Sequence, residues 1–393
     1  PLILKNTFNI SDTIAGVLMA VDNILALFML PLFGMLSDKT NTRFGKRTPY
    51  IVFGTLGASV GMLLIPYADN TKSLVLFLIA LGIVLFSMST YRSPAVALMP
   101  DVTPKPLRSK ANAVINLMGA IGGIITLGVI AILVPKEDTP NYFNVFATIA
   151  GIMIVSITLL VIPINEKKLA EEMREEVYDK KENDKSGNTM PTEVKKSFIF
   201  LLFSVFLWFT GYNAITTAFS KYAQIYWRLK GGLFAYTLMV AQIAAILSYI
   251  PVGIIASRIG RKKTILFGIA LLAIAFGAAI FYKTFYASLF FFFALAGIGW
   301  AAINVNSYPM VVEMSKGSDI GKYTGVYYTF SMSAQIITPI LSGALLEHVG
   351  YWTLFPYGTF FVAASFATML LVKHGDNKPV PPSTKLEAFD TAE

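Results

Sequence analysis

The sequence predicts an all-α integral membrane protein, and three observations carry that prediction. Hydrophobic residues make up 55% of the 393 positions and charged residues 14%, where a soluble domain carries roughly a quarter charged. The apolar residues gather into eleven long runs with almost no charge inside them, each about as long as a helix must be to cross a bilayer. Lysine and arginine crowd instead into every second connection between the runs. Backbone exposed to lipid must satisfy its own hydrogen bonds, so runs of this length fold as helices rather than strands.

The first run, 12–36, leads into Gly34-Met35-Leu36-Ser37-Asp38, and the second covers 49–67. Between them Lys39, Arg43, Lys46 and Arg47 make a short cationic turn. That density of positive charge assigns the turn to the cytoplasm. Runs 73–99, 110–134 and 142–164 complete a first bundle. Residues 165–196 are the one long polar connection, a cytoplasmic central linker. Its Lys167–Lys181 part has the charge pattern of a surface helix, and Asp184–Asn188 reads as flexible. Runs 197–220, 231–257, 264–282, 285–312, 321–346 and 353–372 follow, and 373–393 is a cytoplasmic tail.

Under this alternation 24 of the 32 Lys and Arg lie inside and seven outside, with Arg92 within a run. Residues 1–9 then fall outside and the number of runs is odd. We therefore expect a further helix ahead of them, giving twelve spans with both ends cytoplasmic, in a cell membrane such as the bacterial inner membrane. The N-terminal bundle, 1–164, would hold spans two to six, and the C-terminal bundle, 197–372, spans seven to twelve. The halves echo one another: Ser257-Arg258-Ile259-Gly260-Arg261-Lys262-Lys263 occupies in the second the place that the first cationic turn occupies in the first, with Gly45 and Gly260 215 residues apart. Paired helical halves of this kind are an architecture of secondary transporters.

Several function classes are excluded. With no cysteine there is no disulfide, thiolate metal ligand or thiol nucleophile. The two histidines, His348 and His374, sit near the ends of late runs and suit neither a metal site nor a proton relay. No cluster of carboxylates, nucleophile–base pair or nucleotide-binding loop is present, so the chain is not read as an enzyme and needs no cofactor. The net charge of +9 reflects cytoplasmic connections in contact with a bilayer rather than a nucleic-acid partner. A monomer is expected.

The motif Gly34-x-x-Ser37-Asp38-x-x-x-x-Arg43-x-Gly45-Lys46-Arg47-x-Pro49 resembles the loop signature of the major facilitator superfamily. Its extended spacing is similar to that of glycoside–pentoside–hexuronide:cation symporters and proton-coupled sucrose transporters. Residues 257–263 resemble the shorter form of the same signature. Arg92-Ser93-Pro94 through Asp101, followed by Arg108, Ala111 and Asn112, resembles the fourth span and its loop in these families. Gly299-Trp300 and Ser307-Tyr308-Pro309 resemble the tenth span of the sucrose branch, and Gln335 fits the eleventh. The resemblance implies a major facilitator fold of two pseudo-symmetric six-helix bundles, and symport of a sugar or glycoside by alternating access. It departs from the sodium-coupled melibiose type. Ala26 and Leu30 stand where that type has aspartates, Arg92 replaces its fourth-span aspartate, and the eleventh span holds no lysine. A proton is therefore expected as the coupling ion. Sodium coupling, or export of another small solute or drug, are the alternatives.

An ionisable side chain within a span is costly and marks a pathway or a partner. Asp22 and Arg92 fit that description. Asp22 is the candidate proton carrier, and Arg92 would tune it or bind substrate hydroxyls. Burial favours the neutral carboxyl and a nearby guanidinium the charged one. A static ion pair, or an Asp22 that reaches the outer interface, is the plainer alternative. A sugar site needs planar polar groups for hydroxyls and aromatic faces for the apolar side of the ring. Tyr91, Trp208, Tyr212, Asn213, Trp300, Asn304 and Asn306 are candidates from spans that the resemblance implies line the cavity, with Asn116 and Gln335 from the fifth and eleventh. Trp300 and Asn304 are four apart and share a helix face. Amides that join helices and aromatics that fill space are the alternative for each.

The cationic turn is also a candidate gate. Asp38 closes a helix at its negative end, an unfavourable place for an anion, and needs the cations Arg43, Lys46 and Arg47. Such a cluster could latch the halves together on the cytoplasmic side and part when that side opens. Asp101 with Arg108, and Glu313 with Lys316 or Lys322, are further members, together with Arg258 and Arg261 of the second turn. Gly54, Gly57 and Gly61, and Gly119, Gly122 and Gly123, are expected as packing surfaces.

Overall fold

The computed structural model describes residues 2–103, 108–136, 140–169, 191–314 and 320–376. Among these residues a five-residue α1 (Leu2–Asn6) precedes eleven long helices: α2 (Asp12–Lys39), α3 (Thr48–Asn70), α4 (Leu74–Val102), α5 (Arg108–Leu133), α6 (Phe143–Val161), α7 (Thr192–Ile225), α8 (Leu233–Ile259), α9 (Arg261–Ala279), α10 (Leu289–Met314), α11 (Ile320–His348) and α12 (Leu354–Leu370). Among the described residues ten helices are long and apolar enough to cross a membrane, and in α5 the apolar stretch is Leu117–Leu133. Most of the expected linker, the tail beyond 376, Lys316 and the side chains of Arg108, Asn116 and Lys322 lie outside the described residues.

Local chemistry sets the ends. The Ser11 hydroxyl accepts from Ile14 N at 3.3 Å at the start of α2, and Ser73 does the same for Leu76 N in α4, each satisfying an orphan donor of a first turn. Prolines 31, 66, 251, 309 and 339 lie inside helices, where neighbouring helices tolerate the missing donor. Small residues set the closest packing of α3 on α4. A Cβ on Gly54 would meet Tyr91 Cβ at 2.8 Å, and one on Gly57 would meet Ser87 Oγ at 2.6 Å. The expectation for α5 is met only at Gly123, which faces Gln242 of α8; Gly119 and Gly122 face open space.

Buried apolar side chains form two large clusters. One runs from Phe198 to Val372 around Trp208, Phe219, Tyr222, Ile265, Ile269 and Phe355. The other runs from Ile3 to Val145 around Ile65, Ala68, Phe77 and Val84. We call the face carrying the turns before α3 and α9 the basic face. The two groups of helices touch on the opposite one. There a Cβ on Gly16 of α2 would collide with the Pro339 carbonyl of α11, and one on Gly232 would collide with the Ile130 carbonyl of α5. Gln242 Nε2 of α8 donates to Ala120 O of α5 at 3.1 Å, and Thr13 N of α2 to Glu347 Oε2 of α11 at 2.8 Å.

Candidate functional site

On the basic face, the turn between α2 and α3 is built around one arginine and one buried glutamate. Arg47 is 5% exposed. Its Nη2 pairs with Asp38 Oδ1, its Nη1 donates to Ser37 Oγ and, at 3.2 Å, to Gly34 O. Its Nε lies 3.0 Å from Asp101 Oδ2 at the end of α4, and Lys46 Nζ lies 3.1 Å from the same oxygen. Asp38 thus receives the cation its helix end demands, from Arg47. Arg43 does not join: it is exposed, with its guanidinium 4.6 Å from the Phe44 ring centroid. Asp101 thus takes two cations from the turn, while the side chain of Arg108, its expected partner, lies outside the described residues.

The glutamate is Glu166, just past α6 and 1% exposed. Its Oε1 accepts from Lys46 N and Arg47 N at 2.8 Å, and its Oε2 from Thr48 N and Thr48 Oγ1 at 2.8 Å. Four donors converge on one carboxylate at the N-terminus of α3, where orphan N–H groups and the helix dipole favour an anion. Gly45, at φ 106°, brings the turn so close that a Cβ there would collide with the Glu166 carboxyl.

The second half repeats the device in a shorter form. Gly260, at φ 95°, alone separates α8 from α9. Asp376, just past α12, accepts from Lys262 N at 2.7 Å, and a Cβ on Gly260 would stand 2.8 Å from its Oδ1. Arg261 Nη1 lies 2.5 Å from Glu313 Oε2 at the end of α10, as Arg47 pairs with Asp101 at the end of α4. Lys316 and the Lys322 side chain, the expected partners of Glu313, lie outside the described residues. Arg258 is exposed. Each of these carboxylate–arginine pairs stays within its own half. Glu166 and Asp376 were missed by sequence reasoning. The available signal was their shared place, the first acidic residue beyond the sixth helix of each half.

Between the faces, the candidates fall into two groups. Asp22 is half-buried in α2 and borders a largely apolar cavity of about 490 Å³ beside Leu18, Leu85 and Ser220. Tyr91, next to Arg92 in α4, lies within electrostatic range of Asp22. Arg92 is exposed, and among the described residues no ion pair joins it to Asp22. The static pair is thereby removed as an explanation. Asn23 Nδ2 donates across the halves to Gln335 O at 3.3 Å. Sequence reasoning passed over Asn23, although a second polar residue beside Asp22 in an apolar run was visible.

The second group is aromatic. Tyr212 of α7 lies flat on Trp300 of α10, with ring centroids 3.6 Å apart and planes 4° from parallel, and Phe209 meets Trp300 edge-on at 5.3 Å. Asn213 Nδ2 is buried with no hydrogen-bond partner among the described residues. Asn304, half-buried, lies one turn from Trp300. Two candidates belong elsewhere. Trp208 is 0% exposed in the packed C-terminal core. Asn306 is 2% exposed, and its Nδ2 donates to Ala302 O at 2.9 Å within its own helix. Both are core residues, because a helix buried on several sides hides the faces that a single-face reading assigns to a cavity.

Comparison with known proteins adds the following. The model of the family described as MFS/sugar transport protein matches residues 4–372. An isoprimeverose transporter of Lactiplantibacillus pentosus is 24% identical over 275 residues, which is 68% of this chain and 56% of that protein. A sucrose transport protein of Arabidopsis thaliana is 27% identical over 138 residues, 30% of this chain and 23% of that protein. The chain therefore matches less than two thirds of the length of either relative. Among solved structures, a bacterial homologue of the iron transporter ferroportin in the inward-facing state superposes with a TM-score of 0.67, covering 94% of this chain and 92% of that one at 13% identity. That likeness concerns the fold.

Proposed function

This chain belongs to the family of MFS/sugar transport proteins, and from that premise we propose that it carries a sugar or glycoside across a cell membrane together with a proton, by alternating access. Membership in a transport family agrees with the expectation that the chain is no enzyme. The observation that carries the reading is the asymmetry between faces. The halves meet through α2–α11 and α5–α8 contacts on one face, while the arginine–carboxylate pairs described on the other, Arg47 with Asp38 and Asp101 and Arg261 with Glu313, each lie within one half. With the basic turns in the cytoplasm, this is the inward-facing state of a rocking pair of bundles.

Tyr212, Trp300, Asn213 and Asn304 supply the aromatic and amide surface that a pyranose needs, with Gln335 and Asn23 at the seam between halves. Asp22 is the proton-carrying group: a carboxylate on a largely apolar cavity without an ion-pair partner among the described residues. Arg92, also without an ion pair among the described residues, favours a second reading in which the cargo is a sugar acid.

Uptake of labelled neutral glycosides and uronic acids into proteoliposomes, under a pH or a sodium gradient, tests both. Accumulation of a neutral sugar driven by pH alone is expected, and Asp22→Asn should abolish it while exchange persists. Absence of uptake and exchange for every sugar rejects the transport reading; sodium-driven accumulation unaffected by Asp22→Asn rejects the proton.

A further inference from the structure

We propose that Asp12, Lys221 and Tyr351 form a latch that holds the face opposite the basic turns closed and must part whenever the pathway opens there. The proposal rests on the alternating-access reading, but not on the identity of the cargo. Asp12 opens α2 and is 2% exposed, and Lys221 near the end of α7 is 4% exposed. Lys221 Nζ lies 2.7 Å from Asp12 Oδ1, and the Tyr351 hydroxyl donates to Asp12 Oδ2 at 2.5 Å. Lys5 Nζ stands 3.8 Å from that second oxygen. One carboxylate of the N-terminal half is therefore held by two groups of the C-terminal half. The backbones beside it are in close contact, since a Cβ on Gly343 of α11 would stand 2.5 Å from Asp12 O.

A buried ion pair is a poor general stabiliser, because desolvation of both charges offsets most of their attraction. Its value is geometric: it is favourable only while both partners stay in place. Opening this face separates α2 from α7 and α11 and lets water hydrate each charge alone. A cavity of about 20 Å³, lined by Asp12, Thr217, Lys221 and Ser342, adjoins the pair. It has room for about one water, so hydration can begin there. The small residues Gly16 and Gly343 and this charged cluster thus divide the labour, one permitting close approach and the other selecting the closed position.

The chain has no cysteine, so a single Ser342→Cys behind the latch, where the serine is 3% exposed, reports on that face in the full protein in liposomes. A membrane-impermeant maleimide added from that side should label it slowly. Adding Asp12→Asn or Lys221→Met should raise the rate about ten-fold. A reporter at Asn304→Cys, reached from the basic face, should become slower to label in the same variants. Unchanged labelling of Ser342→Cys overturns the latch. So does a gain at both reporters together, which would indicate general loosening rather than a shift between states. Neither readout needs a sugar, so a failed substrate panel leaves this test standing.

Discussion

The turn before α3 and the turn before α9 solve one problem at two levels of elaboration. Both place a glycine at positive φ (Gly45 and Gly260), cap the next helix with a carboxylate from beyond the sixth helix of their half, and pair an arginine with an acid at the end of the fourth. The shared parts therefore hold a half together. The first turn adds length and Asp38, whose side chain is 59% exposed. A group that exposed adds little to stability. The difference separates a structural clip, present twice, from a single added charge that can serve the proposed gate.

Removing the clips should break this comparison most visibly. Glu166→Ala leaves three backbone donors and a hydroxyl without their acceptor and should cost about 3–5 kcal/mol. Asp376→Ala loses one backbone bond at Lys262 N and should cost about 1–2 kcal/mol. Thermal unfolding of the two variants in detergent measures the gap, and equal losses would mean that the clips are equivalent. The glycines come next. Gly45→Ala combines a left-handed φ with collision against Glu166, for about 2–3 kcal/mol, whereas Gly260→Ala meets Asp376 more gently, for about 1–2 kcal/mol. The same melting curves rank them. The smallest effect on stability belongs to Asp38→Asn, within about 0.5 kcal/mol. Its turnover in the uptake assay should nonetheless fall several-fold, and wild-type turnover would remove Asp38 from the gate.

How much of this was legible varies by scale. All eleven long helices lie where the apolar runs predict, and the cationic turn was visible as a motif. Within that motif the division of roles was not. Arg43 and Arg47 read alike in sequence, yet one stacks on Phe44 at the surface and the other joins Asp38 to Asp101. Trp208 and Tyr212 differ by one helical turn, yet Trp208 is core and Tyr212 stacks on Trp300. In a soluble helix an amphipathic pattern would distinguish such positions. Here the faces toward lipid and toward neighbouring helices are both apolar, so the pattern carries little information.

By itself the sequence determined what depends on neighbours along the chain: hydropathy over about twenty residues sets a span, and local charge density marks the turns between spans. Only the tertiary structure decided which charges meet. Glu166 reaches back to the helix that begins at Thr48, Asp376 to the one that begins at Arg261, and Lys221 to Asp12. Those pairings follow from desolvation. A charge withdrawn from water must find its partner in space, wherever in the chain that partner lies.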